Sequence, residues 1–149
     1  MSAELNVIGG HLYLERDGMV LLGQRHPDSA YAGGQWHLLA GHVEREPART
    51  CVAREAMEEA KLVVAEEDLV LVHTVHLLDH EDAVPRVQLF FRPRRWEGEP
   101  RVLEPDKCLR WAWWPVDRLP ELTVPYTRAA IEGIRAGRLY TEIGWERRK

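Results

Sequence analysis

The sequence predicts a mixed α/β (α+β) domain in which a β-sheet is packed between helices. Three observations carry this. Runs of β-type composition recur from one end of the chain to the other, two segments rich in helix formers interrupt them, and each segment is bounded by turn signals. With 149 residues, 45% of them hydrophobic, the chain has the size of one domain with one good core. Residues 1–149 are therefore expected to form a single domain, and no repeat, low-complexity tract or inter-domain linker argues otherwise.

Taken in order, "VIGGHLYLE" and "MVLLGQR" alternate in hydrophobicity and flank Asp17-Gly18, a tight-turn signal, so the chain is expected to open with a β-hairpin. Residues 26–35, "HPDSAYAGGQ", are rich in turn formers and read as a surface loop. "WHLLA" is a short strand leading into Gly41. Residues 47–60 are helix formers, with Pro47 placed in the first turn, where a helix tolerates proline. "DLVLVHTVHLL" and "RVQLFFRPRRW" make a long hairpin across "DHEDAVP". "LRWAWWPV" adds a strand whose three tryptophans must divide between its two faces. A last helix is expected over residues 126–136, stopped by Gly137.

Composition excludes several classes. No run of about 18 uncharged apolar residues is long enough to span a bilayer, and "MSAELNVIGG" lacks the basic and apolar regions of a signal peptide. A cytoplasmic location without membrane association is expected. Cys51 and Cys108 form neither a disulfide framework nor a metal-finger spacing, so both are expected as reduced thiols. A net charge of −4 with mixed signs leaves no basic footprint for duplex nucleic acid, whereas small anionic partners remain open.

Chemistry concentrates in "GHVEREPARTCVAREAMEEAKL". On a helix, Glu55, Glu58 and Glu59 fall within an arc of roughly 100°, bordering the stripe of Val52, Ala56 and Ala60 that should face the sheet. Like charges this close repel by on the order of 3 kcal/mol at an effective dielectric near 20. A hard divalent cation such as Mg²⁺ offsets that repulsion and prefers carboxylate oxygen. The competing reading is a solvated acidic helix balanced by Arg54 and Lys61.

This stretch resembles the Nudix box of the Nudix (MutT-like) hydrolases. Arg54-Glu55-Ala56-Met57-Glu58-Glu59 matches its central block, seven residues separate Glu46 from Arg54, and Leu62 supplies the closing aliphatic residue. Two departures stand out. The loop from Gly41 to Glu46 is one residue short, and Lys61 replaces the closing glycine. A lysine at positive φ costs on the order of 1 kcal/mol, which argues for a different helix end. Trp113-Trp114-Pro115-Val116-Asp117 is similar to a later segment of the family, and the likeness covers residues 5–136.

The resemblance implies a Nudix-type sheet between helices and Mg²⁺-dependent cleavage of the diphosphate in a nucleoside diphosphate derivative or nucleoside triphosphate, with Mn²⁺ as an alternative ion. It implies that Glu55, Glu58 and Glu59 hold the metal with the Ala40 carbonyl, that Arg54 orients Glu55, and that Glu104 enters as ligand or base. Glu58 and Glu59 are the other candidates for the base. Arg25 and Arg92 are candidates for phosphate, against a default of surface arginine; Tyr31, Trp36 and Trp96 are candidates for base stacking, against packing. His42 reads as a loop residue, Cys51 as a packing residue, and His73 and His76 as too divergent on a strand to share a metal. The alternative function is a catalytically weak nucleotide-binding sensor, favoured by the short loop and Lys61. The tail "GRLYTEIGWERRK" carries apolar residues that leave a homodimer open.

Overall fold

The computed structural model describes residues 2–147, so Arg148 and Lys149 of the tail lie outside the described residues. Its strands are β1 (Val7–Leu12), β2 (Glu15–Arg16), β3 (Met19–Arg25), β4 (Trp36–His37), β5 (Leu39–His42), β6 (Leu69–Leu77), β7 (Arg86–Pro93), β8 (Cys108–Pro115) and β9 (Tyr140–Ile143). The helices are α1 (Ala48–Ala60) and α2 (Pro125–Arg135). A five-stranded mixed sheet runs β5-β1-β7-β6-β9, with β1 parallel to β7 and β6 parallel to β9. In a second sheet β2, β4 and β8 all pair with β3.

The opening hairpin is smaller than the sequence suggests. Asp17 and Gly18 take φ of 53° and 76°, the two positive angles a tight hairpin turn requires, but they join only β2 to β3. At Tyr13-Leu14 the chain passes between sheets: the Tyr13 amide bonds to Phe91 of the large sheet, whereas the Leu14 carbonyl accepts from Leu21 of the small one. "WHLLA" divides likewise at Leu38, β4 pairing with β3 and β5 with β1. The long β6–β7 hairpin forms as expected.

Both faces of the strands are apolar, and one core lies under each helix. Leu12, Leu14, Leu39 and Phe91 pack with Val52, Ala56 and Ala60 of α1. Tyr13, Leu38 and Phe90 pack with Ala130 and Ile131 of α2. The tryptophans of β8 divide as alternation requires, Trp111 and Trp113 toward the first core and Trp114 toward the second. Each fully buried Leu or Phe contributes about 1.5–3 kcal/mol, so the two cores hold the sheet in register.

Two helix details correct the sequence reading. Pro47 is extended (φ −63°, ψ 151°) and stands just before α1 instead of in its first turn. Lys61 does adopt the left-handed conformation (φ 57°, ψ 35°). Its amide reaches the Met57 carbonyl at 3.1 Å, that of Leu62 reaches Ala56 at 3.0 Å, and Leu62 is fully buried. Those bonds and that burial offset the strain, so α1 ends as it would on glycine.

The tail is taken up by its own chain. Tyr140–Ile143 adds to β6 as a parallel edge strand that the sequence reading missed. His73 fastens it: Nδ1–H donates to the Arg138 carbonyl at 2.8 Å and the Thr141 hydroxyl donates to Nε2 at 2.9 Å. His76 bonds Asn6 instead, so the two histidines share no ligand.

Candidate active site

Helix α1 lies across β1 and β5, and two glycines permit it. A Cβ on Gly10 would meet Val52 of α1 at 2.9 Å. One on Gly41 would overlap the Glu55 carboxylate, which therefore rests against the backbone of β5. Glu55 is 16% exposed and Glu58 54%, so the acids run from the buried side of α1 to its surface.

Arg54 organises the first group of acids. Nε and Nη2 donate to the two oxygens of Glu46 at 3.2 and 2.6 Å, a bidentate pair, while Nη1 donates to Glu55 at 2.8 Å and to Glu58 at 3.3 Å. Much of the repulsion within the cluster is thus offset by one guanidinium. Glu46 is held on Arg54 and does not line the cleft beside α1.

Glu59 meets Glu55 of this group and not Arg54. Its Oε2 is buried with no hydrogen-bond partner, and burial pushes its carboxyl up to about 9, with Glu55 and Glu104 adding to the rise. Lys107, the nearby cation, is paired with Glu104 at 3.4 Å. Among the described residues no three acidic, histidine or cysteine side chains converge closely enough to enclose an ion. The donor set nonetheless fits a hard divalent cation: all donors are oxygen, one lacks a partner, and added positive charge opposes the burial and the neighbouring carboxylates that raise Glu59.

From these acids a cleft of about 500 Å³ continues past Ala40 and Gly41 to His11, His37, Gln88, Tyr31 and Tyr126. Burial lowers His11 to about 4 and His37 to about 3, so both imidazoles are neutral. Arg25 and Arg86 also line the cleft. Arg25 donates to the Tyr31 carbonyl at 2.7 Å, and Arg86 to Nε2 of His42 at 3.1 Å.

Of the residues singled out in the sequence, Arg25, Tyr31, Ala40, Glu55, Glu58, Glu59 and Glu104 line this cleft, with Arg54 directly behind Glu55 and Glu58. Arg92 and Trp36 do not. Arg92 stands over the Tyr13 ring at 5.5 Å and beside Glu15, because it lies farther along β7, past Phe90, on the face it shares with Arg86 and Gln88. Trp36 is 9% exposed and packs edge-on to Trp114 at 5.2 Å, a core residue. Trp96 stacks on Trp113 at 6.1 Å. His42 is on strand β5, not in a loop. Cys51 is buried, its thiol pushed up to about 11 by burial, in keeping with packing. Cys108, also a free thiol, lines the cleft, and burial pushes it to about 11 as well.

Sequence reasoning missed His11, His37, Gln88, Arg86 and Tyr126. The available signal was a polar residue at an inward position of an apolar strand, as in "GGHLYL" and "RVQLFF".

The NUDIX domain family pattern matches residues 7–132. The chain is 32% identical to a MutT Nudix hydrolase from Burkholderia pseudomallei, covering 87% of this chain and 98% of that one, with a TM-score of 0.78. It shares its fold with a MutT protein from Methanosarcina mazei (19% identity, all of both chains, TM-score 0.73). It also shares it with the Nudix domain of Shewanella oneidensis NrtR, solved with ADP ribose (21% identity, 91% and 89% of the chains, TM-score 0.65). With the box on α1, its acids at the cleft and the family matched along most of its length, the chain belongs to the Nudix family, as a hydrolase acting on phosphoric anhydride bonds.

Proposed function

We propose that this protein is a Mg²⁺-dependent pyrophosphohydrolase, with Mn²⁺ able to substitute, that cleaves the diphosphate linkage of a nucleoside diphosphate derivative or a nucleoside triphosphate. One observation carries the reading: the buried, partnerless oxygen of Glu59, with Glu55 and Glu104 beside it, in the wall of a cleft of about 500 Å³. Glu55, Glu58, Glu59, Glu104 and the Ala40 carbonyl would hold the ion. When bound, it supplies neutralisation of phosphate charge and a more acidic water.

The chain's own groups do the rest. Arg54 holds Glu55 and Glu58 in place through Nη1. Glu59, Glu58 or Glu104 takes the proton of the attacking water. Arg25, already tethered to the loop carbonyl of Tyr31, binds a phosphate oxygen, and the exposed Tyr31 ring stacks on the base. A single domain performs this work, and the two buried free thiols suit a reducing cytoplasm. No helix is long and apolar enough to cross a membrane among the described residues.

The experiment is product release from a panel of nucleoside triphosphates and nucleoside diphosphate derivatives, with Mg²⁺ and with EDTA. Release confined to the Mg²⁺ arm is expected. Tight binding without release in either arm would instead favour the sensor reading.

A further inference from the structure

The wall of the cleft on β1, across from Ala40 of β5, holds a buried acceptor that hydrolysis does not use. His11 on β1 is 2% exposed, lines the cleft and stacks on Phe90 at 4.4 Å. Its Nε2–H donates to Oε1 of Gln88 at 2.8 Å, which leaves the other ring nitrogen, Nδ1, with a lone pair and no proton. That Nδ1 is buried and has no partner among the described residues. Gly9 makes the arrangement possible, because a Cβ there would overlap Oε1 of Gln88.

A buried acceptor without a donor destabilises the fold, so its place in the wall of a cleft points to a ligand that brings one. The surroundings define that ligand. His37 is also neutral, and Tyr126 lies edge-on to His11 at 5.6 Å. The arginines of the cleft are more exposed, Arg86 at 35%. At Nδ1 itself a phosphate or carboxylate would meet a lone pair, whereas Arg25 and Arg86 act on His37 and Tyr126. A neutral heteroaromatic ring with an N–H meets a matching acceptor and aromatic walls.

We infer that His11 is a specificity-determining residue, accepting through Nδ1 a hydrogen bond from an N–H of the substrate's nucleobase, with Gln88 holding the required tautomer. This rests on the proposed function only for the nucleotide class of the substrate.

The test is equilibrium binding of nucleoside monophosphates in EDTA, where turnover plays no part. Adenosine, guanosine and cytidine monophosphates are each paired with a counterpart lacking the exocyclic amine, and uridine monophosphate with its N3-methyl form. In the parent protein one base should bind at least about tenfold tighter than its counterpart. His11→Phe, which keeps the ring and removes the acceptor, should bring that ratio close to one. A parental ratio retained in His11→Phe, or no ratio for any pair in the parent, overturns the inference. Should near-UV circular dichroism show His11→Phe misfolded, Gln88→Leu decides: the ratio is expected to fall by about threefold or more, and an unchanged ratio overturns it. A His11-dependent ratio without hydrolysis in the product-release panel sinks the hydrolase reading alone; hydrolysis without the ratio sinks the subsite alone.

Discussion

The two ends of the cleft face opposite electrostatic problems. At the α1 end anions crowd together: Arg54 gathers Glu46, Glu55 and Glu58, and Glu59 is left buried, its carboxyl pushed up to about 9. At the other end burial keeps two bases uncharged, His11 near 4 and His37 near 3. Glu55, Glu58 and Glu59 of the first end come from successive turns of one helix, joined by Glu46 from the loop before it. The second takes one residue each from β1, β4, β7 and α2. Charge accumulates locally with helical spacing, whereas a neutral recognition surface is made only when separate strands are brought side by side.

The largest expected effect tests the charged end. Glu59→Gln keeps the shape and removes the charge, so turnover with Mg²⁺ should fall on the order of 100-fold or more while the fold is kept. Turnover within about threefold of the parent would remove Glu59 from the chemistry.

Metal binding comes next. Saturating Mg²⁺ binds the folded state alone and should raise the melting temperature by about 5 °C or more. A variant with Glu55, Glu58 and Glu59 all changed to Gln should lose this response. An equal shift in parent and variant would place the ion outside the α1 end.

Within that end, Glu46 acts through Arg54 and from outside the cleft. Glu46→Gln is therefore expected to lose at least about tenfold less kcat/KM than Glu59→Gln on the same substrate at saturating Mg²⁺. Equal losses would show that the short loop delivers Glu46 to the site.

The smallest effect belongs to the neutral end and to low pH. Both histidines have folded-state values lowered from 6.5, so as pH falls below about 6.5 the unfolded chain binds protons that the folded chain refuses. Stability from keeping them neutral is whole above that pH and is lost as pH falls toward 4. Urea denaturation across this window should show a shallower decline for His11→Phe; an unchanged slope would mean that His11 does not titrate as its burial implies.

The charged end was legible because helical spacing is a property of sequence. Glu55, Glu58 and Glu59 share a face wherever the helix forms, and Val52, Ala56 and Ala60 show which side meets the sheet. Most strands were legible for the same reason, including the division of Trp113 and Trp114. The points where the chain changes sheets were not. Alternation runs unbroken through "HLYLE", and only the competing partners Phe91 and Leu21 set the break at Tyr13-Leu14. Trp36 was misplaced because a strand residue has two faces to choose from, and Arg92 because it shares the face of Arg86 and Gln88 but lies farther along β7 than the cleft extends. Strand β9 was hidden because a four-residue edge strand depends on the partner it joins, β6, and on the His73 bonds that fasten it.

The sequence by itself determined the mixed α/β class, the carboxylate helix, its arginine and its family, since these follow from periodicities of a few residues. Tertiary structure alone decided that Arg54 holds Glu46 as well as Glu55, that one oxygen of Glu59 is left without a partner, and that His11 meets Gln88 from 77 positions away along the chain. The physical reason is range. Helical and strand periods act between neighbours in sequence, but burial, desolvation and the pairing of β1 with β7 depend on neighbours in space.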